Sequence, residues 1–146
     1  MAFIEVPVGD AKEPEIVPEA MYDLRCEGYT LKRSKDDTRD LIVVTVSIEN
    51  PPKDVNPEII FHQMSQPNKE DSEKSRKYQI LLIRRFLECF HISYESGGFD
   101  PDDIPGAKGK CLVTIDEYER NKRNVLELPP IKKEDVKKPA ATKKVA

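Results

Sequence analysis

The chain has 146 residues, of which 38% are hydrophobic and 35% charged, with a formal net charge of −3. That length allows one domain, and so high a charge points to polar ends before it points to a second core. The net negative charge also argues against a duplex binder that is basic all over, because non-specific DNA affinity comes mainly from neutralised phosphates.

The longest apolar runs, residues 41–46 and 80–83, are core-sized. A membrane span needs roughly 18 residues, so no membrane partner is expected. Residues 1–5 carry no basic cluster and no long apolar stretch, so no secretory signal is expected. Cys26, Cys89 and Cys111 are odd in number, widely spaced and without a C-x-x-C pair. They fit a reducing cytoplasm rather than a disulfide scaffold or a zinc ribbon.

Residues 1–19 carry Glu5, Asp10, Glu13, Glu15 and Glu19 against Lys12, for a net −4, and hold three prolines. They read as an extended acidic arm whose Phe3, Ile4, Val6 and Val8 are apolar enough to pack on a domain spanning 20–131. Proline then leaves three free windows, 19–50, 68–100 and 106–128, where regular structure belongs.

The first window predicts two strands. Tyr22, Leu24 and Cys26 alternate with Asp23, Arg25 and Glu27, the period of a half-buried strand. Gly28 interrupts as at a bulge, and residues 29–31 continue. Residues 34–38 are turn chemistry. Residues 41–49 form the strongest strand, with Ile42, Val44, Val46 and Ile48 on one face, and Asn50-Pro51-Pro52 stops it. Residues 58–64 form a third strand. Either Ile60, His62 and Met64 or Ile59, Phe61 and Gln63 face inward.

The second window predicts a helix over 72–91. Ser72 or Asp71 is its cap, and acidic residues crowd its start. Tyr78, Leu82, Ile83, Phe86, Cys89 and Phe90 share one side, opposite Lys77, Arg84 and Glu88. His91 follows at the helix end, where a positive charge suits the dipole. After the loop 96–98, Asp100 caps a single turn with Pro101 in its first position. The third window predicts a hairpin, in which 111–115 and 124–128 flank a polar loop at 116–122. Residues 132–146 carry six lysines against Glu134 and Asp135, for a net +4, and read as a disordered basic tail. Part of that tail, 138–144, looks like half of a bipartite nuclear import signal. A solvated tail or a non-specific DNA contact is the better reading.

Five strands with one helix between the third and fourth is the order of an oligonucleotide/oligosaccharide-binding (OB) barrel. The expected fold is therefore mainly β, a five-stranded OB-like Greek-key barrel. Tyr22, Leu24, Val44, Val46, Val113 and Ile115 are expected inside, with the helix closing one end through Leu82, Phe86 and Phe90.

Several segments carry a family likeness. They are the opening Pro18-Glu19-Ala20-Met21-Tyr22-Asp23-Leu24, the strand at 41–46, and Ile83-Arg84-Arg85-Phe86-Leu87 before Phe90-His91-Ile92. Phe99-Asp100-Pro101-Asp102-Asp103-Ile104-Pro105-Gly106 leading to Cys111-Leu112-Val113, and Glu117-Tyr118 with Asn124, complete the set. On these marks the chain, from about 18 to 128, resembles a family of small tailed-phage proteins regarded as single-stranded-DNA-binding accessory factors of replication and recombination. The resemblance implies single-stranded DNA as ligand, replication or recombination proteins as further partners, and the host cytoplasm as location. Many such binders end in an acidic tail that recruits partners; this chain carries the lysines of 137–144 there instead.

Single-strand binding needs cations along a groove and aromatic faces for stacking. In an OB barrel the usual surface is the outer face of strands 2 and 3 with the 1–2 and 4–5 loops. The first loop region carries Lys32, Arg33, Lys35 and Arg39; the second carries Arg120, Lys122 and Arg123 beside Tyr118. Asp36, Asp37 and Asp40 dilute the first, and Glu117 and Glu119 the second. Tyr29 and Phe61 are the stacking candidates, with core packing as the alternative, because strand aromatics usually pack. Tyr22, Tyr78, Phe86 and Phe90 are assigned to the core. His62 is a candidate for a base or phosphate contact, against a satisfied strand histidine.

No enzymatic motif, cofactor or metal site is expected. His62 and His91 with three scattered cysteines do not make a ligand spacing. Helix capping accounts for Asp100, Asp102 and Asp103. Gly106-Ala107-Lys108-Gly109-Lys110 lacks the phosphate-loop pattern. Two readings remain: a non-enzymatic single-stranded-DNA binder, or an OB-like protein-interaction module using its acidic arm and mixed-charge face. Convergence of the basic loops on one groove favours the first, and dispersion into local ion pairs the second.

Overall fold

Alternation of apolar and polar residues becomes one antiparallel sheet. Its strands are β1 (Ala20–Arg33), β2 (Asp40–Ile48), β3 (Ile60–Ser65), β4 (Lys108–Tyr118) and β5 (Asn121–Glu127), with one helix, α1 (Glu73–Cys89), between β3 and β4. The structure is a computed structural model and describes residues 2–131. The tail expected at 132–146 lies outside the described residues. Strand order is β3-β2-β1-β4-β5. Among the described residues no helix is long and apolar enough to cross a membrane.

β1 is long because it serves two partners. Its first half pairs with β4 (Ala20 opposite Val113) and its second half with β2 (Arg33 opposite Asp40). The bend between them is the bulge at Gly28, where Glu27 is the unpaired residue between Cys26 and Gly28. One extra residue reverses the alternation that follows it. Cys26 faces inward opposite Val46, and Tyr29, three residues on, again faces inward opposite Val44.

The closed barrel is corrected. β3 and β5, the two edges, come within 8 Å Cα to Cα, yet no ladder joins them. Residues 15–17 span the seam instead. Glu15 N–H donates to the Asn56 carbonyl, and Glu58 N–H donates to the Glu15 carbonyl just before β3 begins. Val17 is buried and held by β5: its N–H donates to Asn124 Oδ1 (2.8 Å), and Asn124 Nδ2 donates to the Val17 carbonyl (3.0 Å). The backbone groups that a closing ladder would satisfy are thus partly satisfied by this segment and one side chain. Core packing therefore begins at Val17. Phe3, Ile4, Val6 and Val8 stay exposed and do not pack on the domain.

The expected interior is present, with two corrections. Tyr22, Leu24, Val44, Val46, Val113, Phe86 and Phe90 are buried. Ile115 is only half-buried, because β4 runs past Ala20, the start of its neighbour. Tyr78 is exposed, not core. The buried residues of α1 are Phe86, Leu87 and Cys89, all in its last turn. No residue of α1 before Phe86 is fully buried, and Leu82 is half-buried.

Helix ends follow their local chemistry. Ser72 Oγ accepts from Ser75 N–H at the start of α1. Phe90 caps its end, and His91 follows with φ 57°. Asp100 caps the turn Pro101–Asp103 by accepting from Asp102 N–H. The polar loop expected over 116–122 is instead a tight hairpin. β4 and β5 pair out to Tyr118 opposite Asn121, and the two turn residues Glu119 and Arg120 have φ of 49° and 71°. Two consecutive positive φ values match the right-handed twist of a hairpin, so the strands continue through charged residues. Gly109 in β4 is needed for another reason: a Cβ there would collide with the backbone carbonyl of Cys89 at the end of α1.

Candidate nucleic-acid interface

Residues directly opposite in an antiparallel sheet share a face, so the register sorts each candidate. On β1-β2-β3 the outer rows are Gly28/Thr45/Phe61 and Thr30/Val43/Gln63, with Arg25 beside Ser47; the next row by register, Lys32/Leu41/Ser65, has Leu41 buried. The inner rows are Cys26/Val46/Ile60 and Tyr29/Val44/His62. The open question at β3 is thereby decided: Ile60 and Met64 are buried, and Phe61 points outward, 62% exposed.

Phe61 is the one aromatic side chain on these outer rows. Its row continues across Thr45 to Gly28, where no side chain rises; even an added Cβ at Gly28 would meet only Thr45 Oγ1, at 3.8 Å. The result is an aromatic ring bordering a shallow strip of small side chains. Lys32 lies two rows away on the same face, and Arg25 lies on the far side of the bulge, both exposed. Arg25, Gly28 and Thr45 escaped the sequence reading. The alternation Asp23, Arg25, Glu27 marks Arg25 as outward, but the row through Gly28 exists only once the bulge has set the register.

Two of the candidates face the other way. Tyr29 packs against the core, and its hydroxyl donates to Asp102 Oδ1 (2.8 Å). His62 stacks on Phe86, with centroids 5.6 Å apart and planes 16° apart. Neither shares the Phe61 face. Sequence alternation through Gly28 would send Tyr29 outward; the bulge returns it. Burial holds the His62 imidazole down to a pKa of about 4, and its Nε2 has no hydrogen-bond partner. This histidine stays neutral at physiological pH.

A pH prediction follows from His62. In the unfolded chain a histidine takes up its proton near pH 6.5; in the fold it refuses it until about pH 4. Stability is therefore undiminished above the unfolded value and falls as pH drops through this window. At one pKa unit per 1.36 kcal/mol, the loss approaches about 3 kcal/mol below pH 4. The carboxyls of Asp71 and Asp36 titrate lower. The Arg39 guanidinium holds Asp71 down to about 2, and the Ser34 hydroxyl does the same for Asp36. Their contributions are lost between about 3.8 and 2, below the histidine window. Urea denaturation of wild type and His62→Phe between pH 7 and 4 checks this; the variant should lose most of the dependence. Equal slopes would assign it to other groups.

The cations divide into engaged and free. Arg33 donates from Nε to Asp37 Oδ1 and from Nη1 to Asp40 Oδ1, each at 2.9 Å. Arg39 grips Asp71 with two bonds, at 3.0 and 2.6 Å, and thereby fastens the β1–β2 loop to the segment before α1. Arg123 lies 3.6 Å from Asp116 on the facing strand. Lys32, Lys35, Arg120 and Lys122 are exposed and make no ion pair among the described residues. Tyr118, 70% exposed, stands at the hairpin end beside Arg120.

The two basic loops sit at opposite ends of β1. One follows Arg33; the other projects past Ala20. No hydrogen bond or ion pair among the described residues joins them. No three metal-ligating side chains among the described residues gather into one group. Compared with known protein families the chain matches none, and no curated protein matches it.

Proposed function

We propose that this protein is a non-enzymatic, OB-like single-stranded-DNA-binding protein whose contact surface is the outer face of β1-β2-β3. The observation that carries this is Phe61, an exposed aromatic ring beside the small residues Thr45 and Gly28 of its row. A base has a π face whatever its identity, so one exposed ring beside a shallow strip accepts single strands without reading sequence. Support for the OB-like arrangement comes from the long β1 shared between β2 and β4, the bulge that bends it, and the helix between β3 and β4. A role in phage replication or recombination, in the host cytoplasm, rests on the family likeness alone.

Titration of fluorescent oligonucleotides, single- and double-stranded, at two salt concentrations tests the proposal. Phe61→Ala should weaken single-strand binding by roughly 1–3 kcal/mol and leave the salt slope nearly unchanged, because stacking releases few ions. Replacing Lys32 and Lys35, the unpaired cations at the β1–β2 end of that face, should flatten the slope by about 0.7 for each phosphate left unneutralised, whereas replacing Arg120 and Lys122, at the opposite end of β1, should change it little. Arg33→Ala and Arg123→Ala should change it less, since both side chains already face carboxylates. Duplex DNA should bind more weakly, its bases being unavailable to stack. No salt-sensitive single-strand binding by wild type at low ionic strength would reject the proposal.

The local pairing of Arg33, Arg39 and Arg123 favours a second reading, a protein-interaction module of the same fold. Pairing of this kind consumes the positive charge that a phosphate backbone requires. That reading replaces the first if the titration fails.

A further inference from the structure

The outer face of β1-β2-β3 holds a carboxylate that phosphate binding and stacking leave unexplained. Glu27 is the unpaired residue of the β1 bulge. It is exposed, and its Oε2 accepts a hydrogen bond from Ser47 Oγ. Ser47 lies on the outer face, two residues from Thr45 and so about 7 Å along β2. Thr45 is the direct neighbour of Phe61. The carboxylate is therefore held on the Phe61 face, within reach of a base stacked on or next to that ring. Like charge repels a phosphate backbone, so a carboxylate here costs affinity unless a ligand donor meets it.

The hydroxyls around Glu27 sharpen its character. Ser47 commits its hydrogen to Glu27, and Thr45 Oγ1 donates to the Gly28 carbonyl (3.2 Å). A hydroxyl has one proton to give. What these side chains still offer a ligand is lone pairs, on both hydroxyl oxygens and on Glu27, whose Oε1 has no partner among the described residues. Arg25, opposite Ser47, is exposed and makes no ion pair among the described residues. A cation for a phosphate thus stands beside a cluster of acceptors.

We propose that Glu27 makes this face select single strands by base, favouring bases with an exocyclic amino group over thymine and uracil. The inference rests on the single-strand reading above and adds to it a preference that stacking does not supply. Stacking on Phe61 accepts any base, because every base has a π face. A carboxylate is acceptor-only: it takes a hydrogen bond from an amino group and repels a carbonyl oxygen. Cytosine presents N4–H2 where thymine and uracil present O4, and Glu or Asp accepting from cytosine N4 is a known pairing in duplex readout. Adenine offers N6–H2 in the same way. Arg25 supplies the cation for the adjoining phosphate, which offsets the repulsion between the backbone and Glu27.

Short oligo(dC) and oligo(dU) of equal length isolate the effect, since their bases differ only at N3 and at the C4 substituent. Anisotropy titrations of the full chain near neutral pH, at one salt concentration, should show oligo(dC) bound about fivefold tighter, the lower end for a base-specific contact. Glu27→Gln, whose amide donates as well as accepts, should bring the two within about twofold of each other. Glu27→Ala should also level them, and it should tighten oligo(dU) by removing a negative charge from the face. Phe61→Ala should weaken both oligomers alike and leave their ratio unchanged. Unchanged melting temperatures of the Glu27 variants separate a lost contact from a lost fold. Equal affinity of wild type for oligo(dC) and oligo(dU) overturns the base preference and leaves single-strand binding standing. A preference that survives Glu27→Gln belongs to another residue and overturns the role of Glu27. A wild type that binds neither oligomer overturns this inference together with the reading it rests on.

Discussion

Phe86→Ala is expected to destabilise the fold by about 3–5 kcal/mol, as truncation of a fully buried aromatic does. Phe86 is fully buried, stacks on His62, and lies 5.0 Å from the ring of Phe90. It joins α1 to the inner row of β3, so the vacated volume is bounded by a sheet and a helix rather than by side chains free to collapse. His62 loses its stacking neighbour and keeps an imidazole nitrogen without a partner. Phe86→Leu should lose less, since most of the apolar volume remains. Urea denaturation followed by circular dichroism measures both. A loss under about 1 kcal/mol for the alanine variant would mean that the helix is not docked as described, because core cavities cost more.

The second large effect is at Asn124, the one buried polar residue among those described. Its side-chain amide pairs with the Val17 N–H and carbonyl as another strand would, and also donates to the Thr114 carbonyl (3.3 Å). Asn124→Ala leaves the Val17 N–H and carbonyl buried without partners, at about 1–3 kcal/mol for each stranded group. The seam between β3 and β5 should open with it. Amide exchange at Val17 and Glu15 should therefore accelerate more than exchange in β1 or β2. Asn124→Asp keeps an acceptor for the Val17 N–H and sets a carboxylate against two carbonyls, so it should be no milder. If the alanine variant is as stable as wild type and exchanges no faster at Val17, the clasp is not holding the seam.

Much of the secondary structure was legible because its causes are local. Alternation in Tyr22, Leu24 and Cys26 and in Ile42, Val44 and Val46 marks strands at a two-residue period. Asp100 was readable as a cap, and Ser72 as one of two candidates with Asp71, because a cap bonds backbone two or three residues away. The bulge at Gly28 was readable as a position. Its consequence was not, since which side Tyr29 faces depends on whether one extra residue is inserted, and β2 decides that by where it pairs.

The candidate interface was legible in composition and not in arrangement. Lys32, Lys35, Arg120 and Lys122 stand exposed, while Arg39 is a clasp on Asp71, 32 positions away. Ion pairing inside the β1–β2 loop was foreshadowed by Asp37 and Asp40 close to Arg33 in sequence. The Arg39 clasp was not, because its partner comes from the segment leading into the helix.

By itself, the sequence determined the number and order of strands, the single helix, the side of β2 that carries Val44 and Val46 into the core, and the mixed charge of both basic loops. These depend on period, turn chemistry and neighbours a few residues apart. Only the tertiary structure decided which face of β3 carries Phe61, why Tyr78 is exposed, and how the seam between β3 and β5 is bridged. Each of these is a contact between distant parts of the chain. The Val17–Asn124 pair spans 107 positions, and no local preference encodes it. A buried asparagine reads in sequence like any polar residue of an edge strand, until the backbone it must satisfy is brought beside it.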